Sequence, residues 1–262
     1  MIGLAGCGRM GGPMLAALRD GGTGAIGFDV VDKGVGHIAG NVMAFAPRLE
    51  TLFSVVRDAA ETDALLFDKQ NLIGTAPNLA RIFICSTLSP RYVRDLRARI
   101  PDHITLIDAP VSGAQVAAEN RALSFMLGGT SADIDDAIPL LALMGQHFHH
   151  MGDFGAGMQA KVLNNMLAAS HTAMTRLVLD WADATGLDQD KLLQLIHTSS
   201  GQNWLASGFD SIEFARDGFA PDNTIGILVK DVAAALDAAP EGADQALPRT
   251  IQDTIHALKP RP

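Results

Sequence analysis

Three shortages limit what this 262-residue chain can be. It has only two cysteines, Cys7 and Cys85, too few for a disulfide framework and without the paired spacing of a zinc site. A reducing cytoplasm is therefore the expected setting, and no metal is expected. Positive charge is also scarce: 20 Lys and Arg stand against 29 Asp and Glu, a formal net charge of -9. A balance this acidic supplies no basic face, so neither nucleic acid nor an anionic membrane is an expected partner. Long apolar runs are missing as well. No stretch approaches the length of a membrane span, and Met1-Ile2-Gly3 enters an apolar segment with no basic leader, so neither insertion nor export is expected. Internal repeats and low-complexity tracts are absent too.

What the chain does have is 48% hydrophobic residues and enough length for two moderate domains. Its first part alternates short apolar runs with helical or loop-like pieces. The runs Ile2–Ala5, Gly24–Phe28, Val42–Phe45, Leu52–Val56, Ile82–Cys85, Ile104–Ile107, Leu123–Leu127 and Phe148–Met151 read as strands of a mostly parallel sheet. Beyond Gly152 the period changes to that of helices, over Met158–Thr185, Gln189–His197, Trp204–Ala215 and Ile225–Ala238. The expected organisation is an α/β domain over 1–152 and an all-α domain over 153–262, with Lys259-Pro260-Arg261-Pro262 as a frayed tail.

Gly6-Cys7-Gly8-Arg9-Met10-Gly11 follows the first strand and opens a helix running to about Arg19. Such a pattern makes a tight turn, lets backbone approach a pyrophosphate, and seats helix against strand, with the helix N-terminus facing the phosphates. It points to a Rossmann-type dinucleotide site formed by Gly6, Gly8, Arg9, Met10 and Gly11. Asp29 ends the next strand, where a carboxylate accepts ribose hydroxyls and repels a 2′-phosphate. Val30-Val31-Asp32 offer no arginine to such a phosphate, so NAD is expected, with NADP as the alternative.

Two further stretches bear polar groups where apolar ones dominate. Gly155 to Asn165 places glycines, Lys161 and two asparagines at the start of a long helix, with Lys161 and Asn165 one turn apart on one face. Asp108-Ala109-Pro110-Val111-Ser112-Gly113-Ala114 ends a strand in a turn of small residues that resembles an anion cradle. On the residues alone, Lys161 also fits a snorkelling helix-start lysine, Ser112 a surface-turn cap, and Lys230-Asp231 the solvated face of a helix.

These motifs, in order, resemble the β-hydroxyacid dehydrogenase family, which includes 3-hydroxyisobutyrate dehydrogenase and tartronate semialdehyde reductase and is related to 6-phosphogluconate dehydrogenase. Gly6–Gly11 with Met14, Asp108–Gly113, Gly155 through Lys161 to Asn165, and Lys230-Asp231 carry the likeness, supported by Ser86-Thr87 with Pro90 and by Ser199-Ser200-Gly201 with Trp204. The resemblance implies hydride transfer between NAD and a small β-hydroxy acid or its semialdehyde or keto form. Lys161 would be the general acid/base, a role for which a lysine needs burial or a neighbouring cation such as Lys230. Ser112, Gly113 and Ala114 would hold the substrate carboxylate, with Asn165, Lys230 and Asp231 lining the same cleft. Thr87 would lie at the nicotinamide end, and Lys230 would count toward the cofactor as well. A homodimer or homotetramer is expected, because a small helical domain has apolar helices to cover.

Several positions depart from the family pattern. Ala114 stands where relatives usually carry glycine, Arg57 stands in the loop after the fourth strand, and Asn223 occupies a position where relatives often place phenylalanine against the substrate. Asn223 is read as a sign of a more polar pocket. The segment from Asp32 to Leu49 looks short for the usual helix. Alternative readings are an NADP-linked glyoxylate or succinic semialdehyde reductase, and a shortened nucleotide-binding protein without turnover. Imine reductases share the architecture but usually replace the lysine, so Lys161 counts against them.

Overall fold

A computed structural model describes residues 1–261. Two compact units result, the first ending at Lys161 and the second beginning at Val162, inside a long helix. The division expected after Gly152 therefore lies in the turn ahead of that helix, whose first turn belongs with the sheet.

In the first unit, β1 (Ile2–Ala5), β2 (Ile26–Phe28), β3 (Ile38–Ala39), β4 (Thr51–Ser54), β5 (Arg81–Ile84) and β6 (Thr105–Asp108) lie parallel, in the spatial order β3-β2-β1-β4-β5-β6. β7 (Val111–Ser112) and β8 (Leu123–Gly128) add an antiparallel pair beside β6, and β9 (Gly145–Gly152) runs parallel to β8. The strands are interleaved with α1 (Gly11–Asp20), α2 (Val42–Phe45), α3 (Ala59–Leu66), α4 (Leu72–Thr75), α5 (Pro90–Arg99), α6 (Ala114–Glu119) and α7 (Ser131–Leu141).

Both faces of the parallel part around β1, β4, β5 and β6 are covered, which is why these strands are largely apolar. Leu4, Phe53, Phe83 and Ile107 point into one core with Met14 and Leu18 of α1, while their neighbours Ala5, Leu52, Ile82 and Leu106 point into the other with Val93 and Leu96 of α5. Phe53 and Phe83 stack at 4.5 Å between ring centres. Strand order reverses at β1, between β2 and β4, where open α/β sheets place ligands at the carboxyl ends of the strands.

The second unit holds the remainder of α8 (Ala156–Thr185), then α9 (Gln189–His197), α10 (Trp204–Ser207), α11 (Thr224–Asp237) and α12 (Ala246–His256). It contains no strand among the described residues. No helix among them is long and apolar enough to cross a membrane.

Three local expectations need correction. Val42–Phe45 is a helical turn, since Asn41 caps it by accepting from Met43 N at 2.9 Å, and an apolar run of four carries no period to tell strand from helix. Helix α10 stops at Ser207 and the rest of Trp204–Ala215 forms turns, beginning at Gly208. The tail is not frayed up to Arg261. The Arg261 side chain is 6% exposed and pairs with Asp180 and Asp183 on α8, and its N–H donates to Arg216 O at 2.8 Å. The fully buried Arg176 guanidinium donates to the carbonyls of Ala215, Asp217 and Lys259, binding the same tail and the irregular segment to α8. Pro262 lies outside the described residues.

Candidate functional site

The three glycines after β1 do three different things. Gly6 has φ +91°, and a side chain there would strike the Val55 carbonyl; one at Gly11 would land on the carbonyl oxygen of Gly6. These two are required by packing. At Gly8 the missing Cβ faces open space, as a close approach by a pyrophosphate needs. Met10, the residue before α1, contributes no side-chain cap, which leaves the helix N-terminus suited to an anion. Arg9 is exposed at this turn. The backbone thus fits a dinucleotide.

Asp29 is tied to that turn. Its Oδ2 accepts from Cys7 N at 2.9 Å and its Oδ1 from Val31 N at 2.9 Å, leaving lone pairs on both oxygens for further donors. Lys33 Nζ approaches Oδ2 at 3.5 Å, a local cation four residues on that the sequence reading overlooked. The residues flanking Asp29, Phe28 and Val30, line a cavity of about 390 Å³ together with Gly40, Asn41, Val42 and Gln70. The Cys7 thiol is pushed up to about 11, first by burial and then by the charge of Asp29, so it is an inert part of the turn at neutral pH.

The carboxyl end of β6 leads into the second candidate region. Ser112 ends β7, half-buried, and Gly113 turns the chain into α6 with φ +131°. Ala114 follows at φ +59°, in the left-handed region that L residues avoid. Glycine would adopt this conformation without that strain.

Asp108, the last residue of β6, is fully buried and reaches across to the start of α8. Its Oδ1 accepts from Gly155 N at 2.7 Å and its Oδ2 from Met158 N at 2.5 Å. Burial pushes this carboxyl up to about 6, against the pull of those two N–H groups. The glycines of the motif serve this docking. Gly155 has φ +96°, and a Cβ on Gly157 would strike the Met126 carbonyl of β8. Met158 is buried, and its Sδ lies 3.3 Å from Leu88 N, next to the half-buried Thr87 after β5. Lys161 follows three residues on, 7% exposed.

In the second unit, Asn165 and Asp231 are both buried, and Asn165 Nδ2 donates to Asp231 Oδ2 at 2.6 Å. Lys230 Nζ sits 3.2 Å from Asp231 Oδ1 with its side chain 36% exposed. Asn223 has a structural task instead of a pocket-lining one. It caps α11 by accepting from Gly226 N at 2.9 Å and staples the preceding loop by donating to Gly218 O at 2.7 Å, which removes the reason for reading a polar pocket from it. Arg57 is a surface residue paired with Glu61 on α3.

Residues 1–152 match the NAD binding domain of 6-phosphogluconate dehydrogenase, and residues 155–255 match the NAD-binding domain of NADP-dependent 3-hydroxyisobutyrate dehydrogenase. The 3-hydroxyisobutyrate dehydrogenase of Pseudomonas aeruginosa is 31% identical over 249 residues, 90% of this chain and 84% of the relative. The chain belongs to the β-hydroxyacid dehydrogenase family. A second P. aeruginosa relative of this dehydrogenase, an NAD-dependent L-serine dehydrogenase, is 31% identical over 78% of the chain and 71% of its own length. Among solved structures, Mycobacterium tuberculosis 3-hydroxyisobutyrate dehydrogenase with L-serine superposes with a TM-score of 0.79 at 26% identity, covering 96% of this chain and 91% of that one. Imine reductases from Myxococcus stipitatus and Streptomyces aurantiacus, at 16% and 18% identity, share the fold of this β-hydroxyacid dehydrogenase.

Proposed function

We propose that this chain interconverts a small β-hydroxy acid and its semialdehyde or keto form with NAD, using Lys161 as general acid/base. The carrying observation is the burial of Lys161, on the turn of α8 that Asp108 joins to the strand running into Ser112 and Gly113. A lysine solvated at a helix surface has no such enclosure.

In this reading Gly6, Gly8, Arg9, Met10 and Gly11 hold the pyrophosphate and Asp29 the adenosine ribose, with the cavity beside Val30 taking the base. Thr87 and Lys230 serve the nicotinamide end. The bound dinucleotide supplies the hydride acceptor and donor, its nicotinamide C4. Ser112, Gly113 and Ala114 hold the substrate carboxylate, and Asn165 and Asp231 line the substrate site. Lys161 Nζ takes the hydroxyl proton in oxidation and returns a proton to the carbonyl oxygen in reduction. Two relatives named for 3-hydroxyisobutyrate and L-serine support a substrate with hydroxyl and carboxylate on a short chain.

One observation favours a second reading on the cofactor. Lys33 stands beside Asp29 and offsets its charge, so NADP is the alternative to NAD. The first test is a screen of 3-hydroxyisobutyrate, glycerate, L-serine, L-threonate and 4-hydroxybutyrate with both dinucleotides. Turnover of one or more with NAD is expected. Binding of NADH without oxidation of any would instead make the chain a nucleotide-binding protein without turnover.

For assembly, the supporting feature is a stripe along α8. Leu163, Leu167, Met174, Leu177 and Trp181 recur on one face and are 38% to 68% exposed, an apolar surface of the kind a second copy covers in a homodimer or homotetramer. A cytoplasmic setting is supported by the two cysteines, both free and buried.

A further inference from the structure

We infer that Asp108 is the positioning residue of the Lys161 helix: its carboxylate ties the first turn of α8 to the end of the β6 strand and so sets where the lysine stands relative to the Ser112–Gly113 turn. The inference rests on the function proposed for Lys161. Three independent features support it. Both carboxylate oxygens are used, one on Gly155 N at 2.7 Å and one on Met158 N at 2.5 Å, so the helix is held at two points. The surroundings are built around the carboxylate without slack, because a Cβ on Gly128 of β8 would land on Oδ1 and one on Gly157 on the β8 backbone. Met158, the second anchored residue, also contacts the loop bearing Thr87, so one turn of helix links three strand ends.

Protonation would undo half of this arrangement. A protonated carboxyl keeps only one oxygen as a full acceptor; its hydroxyl oxygen accepts more weakly, so one of the two N–H bonds is loosened. Of the charged side chains on α5 and at the start of α8, Arg94 is the one that acts on this carboxyl, and its charge favours the ionised form. Because burial raises this carboxyl to about 6, above its unfolded value, proton uptake favours the folded state as pH falls through 6. Acid then loosens the helix start without unfolding the protein through this group. A residue that merely contributed stability would couple the two.

The experiment compares wild type and Asp108→Asn from pH 5 to 9, using 3-hydroxyisobutyrate and L-serine with NAD. It also measures NADH affinity by fluorescence and amide exchange over residues 152–163. Asparagine keeps one acceptor and turns an amide donor toward the other N–H. The variant should lose about 10- to 100-fold in kcat, the scale of a small misplacement of a reacting group. Its KM and NADH affinity should stay within about threefold, its amides at 155 and 158 should exchange faster, and it should lack the acid limb near pH 6 expected of the wild type. Wild-type kcat in Asp108→Asn, or an unchanged acid limb, overturns the inference. Should Asp108→Asn fail to fold, Arg94→Gln decides, because Arg94 is exposed and supplies the charge that favours ionised Asp108, while glutamine keeps an amide donor for Gln159, which accepts from Arg94 at 3.4 Å. The acid limb should then move to higher pH, and an unmoved limb overturns the inference. If the wild type turns over no hydroxy acid, the fault lies with the proposed function. Exchange still decides the clamp in that case, and unchanged protection at 155 and 158 in Asp108→Asn refutes it.

Discussion

Asn165 donates its side-chain amide to the buried carboxylate of Asp231 at 2.6 Å, joining α8 to α11 within the helical unit. The pair is 66 residues apart in sequence, and nothing local announces it. Replacing Asn165 with alanine leaves a buried carboxylate without this donor. A loss of about 1.5–3 kcal/mol in unfolding free energy is expected by urea titration, the range for a hydrogen bond to a charged group. A change under ~0.5 kcal/mol would mean that Asp231 is satisfied by Lys230 alone.

Lys161→Ala should cut kcat by about 10²–10⁴ while NADH affinity, measured by fluorescence quenching, changes little. Retained turnover would remove Lys161 from the proton path.

Lys33→Ala should weaken NADPH binding about two- to fivefold and leave NADH binding nearly unaltered, since a partly exposed ion pair contributes under ~1 kcal/mol. Calorimetric titration with both dinucleotides measures it. Equal effects on the two cofactors would show that Lys33 does not sense a 2′-phosphate.

Ala114→Gly should raise or preserve the melting temperature. It releases left-handed strain of roughly 1–2 kcal/mol, against a glycine entropy cost of roughly 0.5–1 kcal/mol. A clear drop in melting temperature would mean that the methyl group packs usefully in the turn.

Replacing both Leu167 and Trp181 with glutamate should lower the oligomeric state seen by analytical ultracentrifugation, because it puts charge into the exposed α8 stripe. An unchanged mass would move the interface elsewhere.

Local chemistry was readable in the linear chain. Gly6, Gly8 and Gly11 declared a strand–turn–helix because each glycine answers a backbone need within a few residues, and the unbroken apolar runs of β4, β5 and β6 declared a sheet covered on both sides. The spacing of Lys161 and Asn165 followed from helical period alone. Elsewhere the local signal was silent or misleading. Four apolar residues, Val42–Phe45, fit strand or helix equally until Asn41 capped them, and Asn223 resembled a pocket residue until its amide proved to be spent on Gly226 and Gly218.

By itself, then, the sequence determined the dinucleotide fold, the helical second half and the family, since all three rest on periodicity and on short motifs whose geometry is local. Only the tertiary structure decided which polar groups meet. Asp108 with Gly155 and Met158, Asn165 with Asp231, and Arg261 with Asp180 and Asp183 are pairs formed across long stretches of chain. A buried carboxylate or guanidinium must find its partner wherever packing brings one, and no period in the sequence records where that is.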